Sequence, residues 1–373
     1  GVYIKSGSLT GLTSANAFGT AAIRLGNDSA AGVGNNAAAT LILNFGGTYA
    51  NDVVLGNTSG ALTITTPNTG TGQTFTGGIS GTNNLLLSNS GSQTFNISSS
   101  ASKEITINGT ITGVSTGTGA TTISQKINSG VTGIIQNVQG ASGSTMTLSN
   151  ANNAFTGGVT VLRGNIGYGA TGAFGAATNI VTLGDVAGAA GAFNDASLVL
   201  TTGGLNMTHA INLEANAVGL LRIASTSTSG TASSINSDIT LNGKVLTFAY
   251  NGAASTAVLN IQSTSGSFIG TGSLVNAGTG TGIINLGGNI GNNVTTVTQN
   301  SATSQLRLAG NNAFGSLIIN AGLVEGRQAA GVTPPLGGGP AGPRRSPPAP
   351  AGRGRQCGPA PTSTCRRVAR RRP

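Results

Sequence analysis

The sequence predicts an all-β protein: a right-handed parallel β-helix over residues 1–327, followed by a disordered tail at 328–373. Three observations carry that expectation. Of 373 residues 62 are Gly, 7% are charged and 4% are aromatic, whereas an average globular domain is about 25% charged. Short segments alternate apolar and polar residues with period two. The text also repeats itself at a fixed long offset.

The composition excludes several classes. Long helices favour Ala, Leu, Glu, Lys and Arg together; here Gly, Thr, Ser, Asn and Ala dominate, with Ile, Val and Leu as the apolar set. No apolar run approaches the ~20 residues of a membrane-spanning helix. The strand candidates are pieces of about five residues, among them ATLILNF at 39–45, NNLLLS at 83–88, KEITING at 103–109, GVTVL at 158–162 and VLTFAY at 245–250. Such alternation is the mark of a half-buried strand. Gly, Asn, Ser and Thr clusters between them supply turn chemistry. A sandwich needs a wide two-sided core, which ten Phe and four Tyr do not furnish. Stacked coils need only a narrow interior of Ile, Val and Leu, with Thr, Asn and Ser outside.

The repeat is long. GVYIKSGSL at 1–9, GVTVLRGNI at 158–166 and GSLIINAGLV at 315–324 align, making Gly7, Gly164 and Gly322 equivalent. The spacings are 157 and 158 residues. AATLILNFGG at 38–47 matches DASLVLTTGG at 195–204, and GALTI at 60–64 matches GLLRI at 219–223. The expected modules are 1–157, 158–314 and a partial 315–327, a full module holding about seven coils at roughly 20–25 residues per coil. The chain starts inside a repeat, without Met, and reads as a fragment.

The net charge of +10 divides unevenly. Residues 1–327 hold four Lys, five Arg and all eight acids, giving +1; the last 46 residues hold nine Arg and no acid, giving +9. Ten of the eleven Pro and both Cys lie in that tail. The preferred explanation is GC-rich codons read out of frame, because the change of text falls inside a repeat. A solvated extension is the alternative, and a nucleic-acid partner is not expected. Cys357 and Cys365 there support neither a disulfide framework nor a metal site.

Chemistry is scarce in the body, and no catalytic, cofactor-binding or metal residue is assigned. His209, the sole imidazole, reads as a surface or turn histidine. Asp28, Asp52, Asp185, Asp195, Glu214 and Asp238 are scattered, without a pair recognisable as glycosidase carboxylates. Thr63, Thr65, Thr106, Thr145, Thr147, Thr240 and Thr247 suggest a threonine ladder only loosely, their spacing being too irregular for a flat ice-binding face. Asn152, Asn153, Asn311 and Asn312 sit in turns, where Asn tolerates left-handed backbone and its amide bonds along a stack.

The string NNAFTGGVTVLRGNIGYGATGAFGAATNIVTLGD at 152–185 resembles the autotransporter-associated β-strand repeat. The matching positions are Asn153, Phe155, Thr156, Gly157, Gly158, Val161, Gly164, Ile166, Val181, Leu183 and Gly184, and the partial copies supply Gly7 and Gly322. The resemblance implies a β-helical passenger of a bacterial autotransporter-like protein, exported through the outer membrane and displayed on the cell surface. A translocator barrel would belong to the full-length protein; neither it nor a secretion signal is visible here. The implied role is a non-enzymatic structural or adhesive stalk contacting extracellular matrix, glycans or other cells. A secreted β-helix enzyme acting on carbohydrate, and a passive spacer, are the alternatives.

Overall fold

The computed structural model describes residues 1–327 except 13, 15, 28–35, 68–69, 99–102, 139–143, 186–193 and 263–266. The tail at 328–373, its two Cys and Asp28 lie outside the described residues. Within them there is no helix: strands of two to ten residues stack in parallel as a β-solenoid of about 11 turns.

The chain visits three faces in a fixed order. The first face begins with Val2–Ile4, Ile23–Leu25, Val53–Leu55, Ile79–Gly81, Glu104–Ile107 and Lys126–Ile127. Later the same place in the order is taken by Asn206–Met207, Ser233–Ile235, Val258–Ile261, Ile283–Leu286, Gln305–Leu308 and Val324–Gly326. The second face runs from Gly7–Gly11 to Phe268–Ile269, and the third from Gly47–Tyr49 to Ser316–Ile319. The strand Val159–Tyr168 serves two of them. Its start pairs on the second face and its end on the third, with the corner at Gly164, where φ is +88°.

The alternation seen in the sequence is the physical basis of the interior. Successive side chains of a strand point to opposite sides, so every second residue enters the core. On the first face Ile23, Val53, Ile79, Ile105 and Ile127 stack in register. On the second Ile111, Ile134, Val159, Val181, Ile211 and Ile239 do so, and on the third Met146, Ile166, Leu198, Ile223 and Phe248. All are at most 1% exposed. Each such side chain contributes roughly 1.5–3 kcal/mol relative to exposure. Tyr49, Phe75, Phe95, Phe155, Tyr168, Phe174, Phe248 and Tyr250 are fully buried in the same core.

Two expectations change. The expectation that Asn faces out fails at Asn89 and Asn276, and Gln73, Gln125, Gln136 and Gln299 are buried with them, all at most 1% exposed. These side chains lie inside and satisfy turn carbonyls: Asn89 donates to Gln93 O and Ala120 O, Gln136 to Ser144 O, and Gln299 to Ser301 O and Ser304 O. A corner of a narrow coil turns its carbonyls inward, and a buried carbonyl without a donor is costly.

The second change concerns the repeat. Gly7 follows a first-face strand and opens a second-face strand, Gly164 joins second to third, and Gly322 joins third back to first. The second-face ladder takes six steps from Gly7–Gly11 to Val159. The third-face ladder likewise takes six steps from Asn165 to Ser316–Ile319. A 157-residue block therefore winds six turns and one face, not seven turns. Equivalent sequence is rotated by one face from block to block: Ala39–Leu43 is on the second face, and its match Ala196–Leu200 on the third. The cause is turn length, since Ile166 opposes Leu198, 32 residues on, whereas Met146 opposes Ile166, 20 residues on.

Candidate functional site: the outer third face

The residues that the resemblance marks belong to the scaffold. Asn153 accepts the Ile127 N–H (2.8 Å) and donates to Ala173 O (2.7 Å), so one amide ties three successive coils. Asn312 accepts the Ile290 N–H in the same way. Neither has left-handed backbone; among the described non-glycine residues only Asn242 does. Phe155 is wholly buried. Gly7, Gly158, Gly164, Gly184 and Gly322 all adopt φ between +72° and +114°. At Gly157 it is space that matters: an added Cβ would lie 1.5 Å from Thr132 O in the preceding coil. None of these side chains offers chemistry to a ligand.

His209 is not a surface residue. Leu205, Met207, His209, Ile211 and Leu213 alternate inward along the coil, and His209 is 2% exposed. The period-two pattern L-x-M-x-H-x-I-x-L was legible in the sequence and places the imidazole inside. Its ring meets Tyr168 and Phe174 edge-on, with centroids 6.3 and 6.1 Å away. Neither ring nitrogen has a hydrogen-bond partner among the described residues. Burial pushes its pKa below the usual histidine value, the backbone at Gly175 and Ala176 opposing that effect. The unfolded chain therefore takes up the proton first. Stability contributed by neutral His209 is complete above about pH 6.5, the ordinary histidine value, and is lost as pH falls below it. We expect the melting temperature to drop from pH 7.5 to pH 5, and the drop to shrink in His209→Phe. Thermal unfolding followed by circular dichroism at both values checks this, and an unchanged pH response in the variant would refute it.

The acids do not converge. Asp52 binds Lys103 (2.7 Å) and accepts the Gly78 N–H, Asp185 faces Arg163 (3.7 Å), and Asp195 accepts the Leu220 N–H. Among the described residues no three His, Cys, Asp or Glu side chains group together.

The threonines named from the sequence fall on all three faces. Thr106 is on the first, Thr63, Thr65 and Thr240 on the second, and Thr145, Thr147 and Thr247 on the third. The structure reveals a different and regular array on the outside of the third face. Thr48, Thr74, Asn96, Thr122 and Thr147 stand in unbroken register over five coils. Two residues further along each strand a second rank runs parallel. It comprises Thr76, Ser98, Ser124 and Ser149, each backbone N–H bonded to the coil before it. Paired strands lie ~4.8 Å apart and alternate residues ~6.7 Å apart, so this is a two-dimensional grid of hydroxyl and amide groups. Its sequence signal is a T/N-x-T/S triplet at 74–76, 96–98, 122–124 and 147–149, visible only once the turn lengths are known.

Beyond Thr147 the first rank continues as Gly167, Val199, Ala224 and Ala249. Beside that stretch lies a recess of about 150 Å³ lined by Thr145, Asn165, Ser197, Val199, Arg222, Ala224, Thr226 and Asn251. Sequence reasoning missed Arg222, because nothing local distinguishes it from any outward strand residue.

Comparison with protein-family models, with curated proteins and with solved structures finds no match to this chain.

Proposed function

We propose that the chain is a non-enzymatic, extracellular stalk of an autotransporter-like surface protein, structural and adhesive, whose third face contacts glycans or matrix. The hydroxyl and amide grid on that face is the observation that carries the reading. Groups repeated every ~4.8 Å along a straight axis suit a polymeric ligand lying along the rod, because each unit meets the same donors and acceptors. The resemblance of residues 152–185 to the autotransporter-associated repeat supports display outside the cell. A ribbon held by nearest-neighbour contacts is long and stiff without a wide core, as a stalk requires.

The test is binding of the full 373-residue chain to an array of glycans and matrix proteins, alongside the double variant Thr122→Val, Thr147→Val. Binding by the parent chain and about two- to tenfold weaker binding by the variant is expected, given about 0.5–1.5 kcal/mol per hydrogen bond. A folded chain that binds nothing on the array would leave only a passive spacer.

A further inference from the structure

The cavity on the third face differs from the grid beside it by carrying a charge. Arg222 stands in register between Ser197 and Thr247 on the outward side of the sheet. Among the described residues the ion pairs are Lys103–Asp52, Lys126–Glu104, Arg163–Asp185, Arg307–Glu325 and Arg327–Glu325, so Arg222 is outside them. Asp195, two residues before Ser197, is engaged by the Leu220 N–H at 2.8 Å. Arg222 thus borders a recess whose other polar walls, among the described residues, are hydroxyls and amides, beside Val199 and Ala224.

That combination has a defined chemistry. A guanidinium is a planar fork of donors matched to a carboxylate. Ser197 and Thr226 present hydroxyls able both to donate and to accept, and Asn251, whose Oδ1 accepts from the Thr279 N–H and Oγ1, keeps its Nδ2 as a donor, as a ring bearing several hydroxyls demands. The volume is below the roughly 300–1,000 Å³ of a pocket for drug-sized ligands, so it admits one ring and not a folded segment. A phosphate-bearing ligand would call for further cations, and the body of the chain is close to neutral. We propose that this recess binds one carboxylated sugar residue, a uronate unit of an acidic glycan, with Arg222 on the carboxylate and the hydroxyl and amide walls on the ring. The proposal rests on the glycan-contact reading and specifies its anionic subsite.

The probes are a galacturonate trimer, its methyl ester and cellotriose, titrated calorimetrically into the full chain and into three variants. Arg222→Gln removes the fork. Ala224→Leu adds bulk beside Val199 and Ala249 at the recess while leaving the charge. Lys5→Gln removes an exposed charge elsewhere. The expected result is uronate binding by the parent chain, at least about tenfold weaker in Arg222→Gln and in Ala224→Leu and within twofold in Lys5→Gln, with no response to the ester. Failure of the parent chain to bind the trimer, equal loss in Arg222→Gln and Lys5→Gln, or equal binding of the ester overturns the proposal. Cellotriose or array binding that survives Arg222→Gln sinks this subsite and leaves the adhesive reading standing. Uronate binding by a chain that attaches to no glycan or matrix surface does the reverse.

Discussion

Gly157→Ala is expected to destabilise the protein by about 3 kcal/mol or more, at the upper end of overpacking costs. The new methyl group would sit 1.5 Å from Thr132 O and 2.0 Å from its carbonyl carbon. Both are backbone atoms of the preceding coil and have no rotamer through which to escape. The coils must separate, and the ladder between Val131–Asn137 and Val159–Tyr168 must break at that point. Gly243→Ala is the internal comparison. Its Cβ would meet nothing within 4 Å, and φ is +78°, so it carries only the left-handed backbone cost of roughly 1–2 kcal/mol. Urea midpoints of the two variants should therefore differ clearly. Because a solenoid is held by nearest neighbours, hydrogen exchange should locate the damage in Gly157→Ala to the coils on either side. Equal midpoints would show that the stacked coils yield at this contact.

Phe155→Ala is expected to cost about 3–5 kcal/mol, the usual range for deleting a buried aromatic ring. Phe155 is fully buried where the first face passes between its two six-stranded ladders. In place of a ladder its coil is tied on that face by separate bonds, from Ala154 N to Ile127 O and Ala176 N to Phe155 O, together with those of the Asn153 amide and from Asn179 Nδ2 to Phe155 O. The ring substitutes packing for the missing ladder, so the narrow interior would be left with a cavity bounded above and below by rigid coils. Circular dichroism melting of the variant tests this; a loss below about 1 kcal/mol would mean the neighbouring coils collapse into the space.

The fold was largely legible because its cause is local. Every-second-residue burial at Leu41 and Leu43, Ile105 and Ile107, or Leu306 and Leu308 is the same alternation that the sequence shows. Amides broke the rule. Asn89 and Gln136 occupy inward positions of such alternating runs, although Asn is expected outside on polarity alone. Their partners are turn carbonyls, Gln93 O and Ala120 O for Asn89 and Ser144 O for Gln136, and Ala120 belongs to the next coil. His209 failed for the same reason: its type outweighed the period-two pattern of its neighbours.

By itself the sequence determined that the chain is all-β and that it coils. Each of those follows from spacing along the chain, which alternation and duplication record directly. Only the tertiary structure decided which residues share an outer surface. Coils of unequal length, 20 residues in one place and 32 in another, set the phase of every later strand. Thr74, Asn96, Thr122 and Thr147 become one rank, and Arg222 comes to border a recess, through sums of turn lengths that no local pattern encodes.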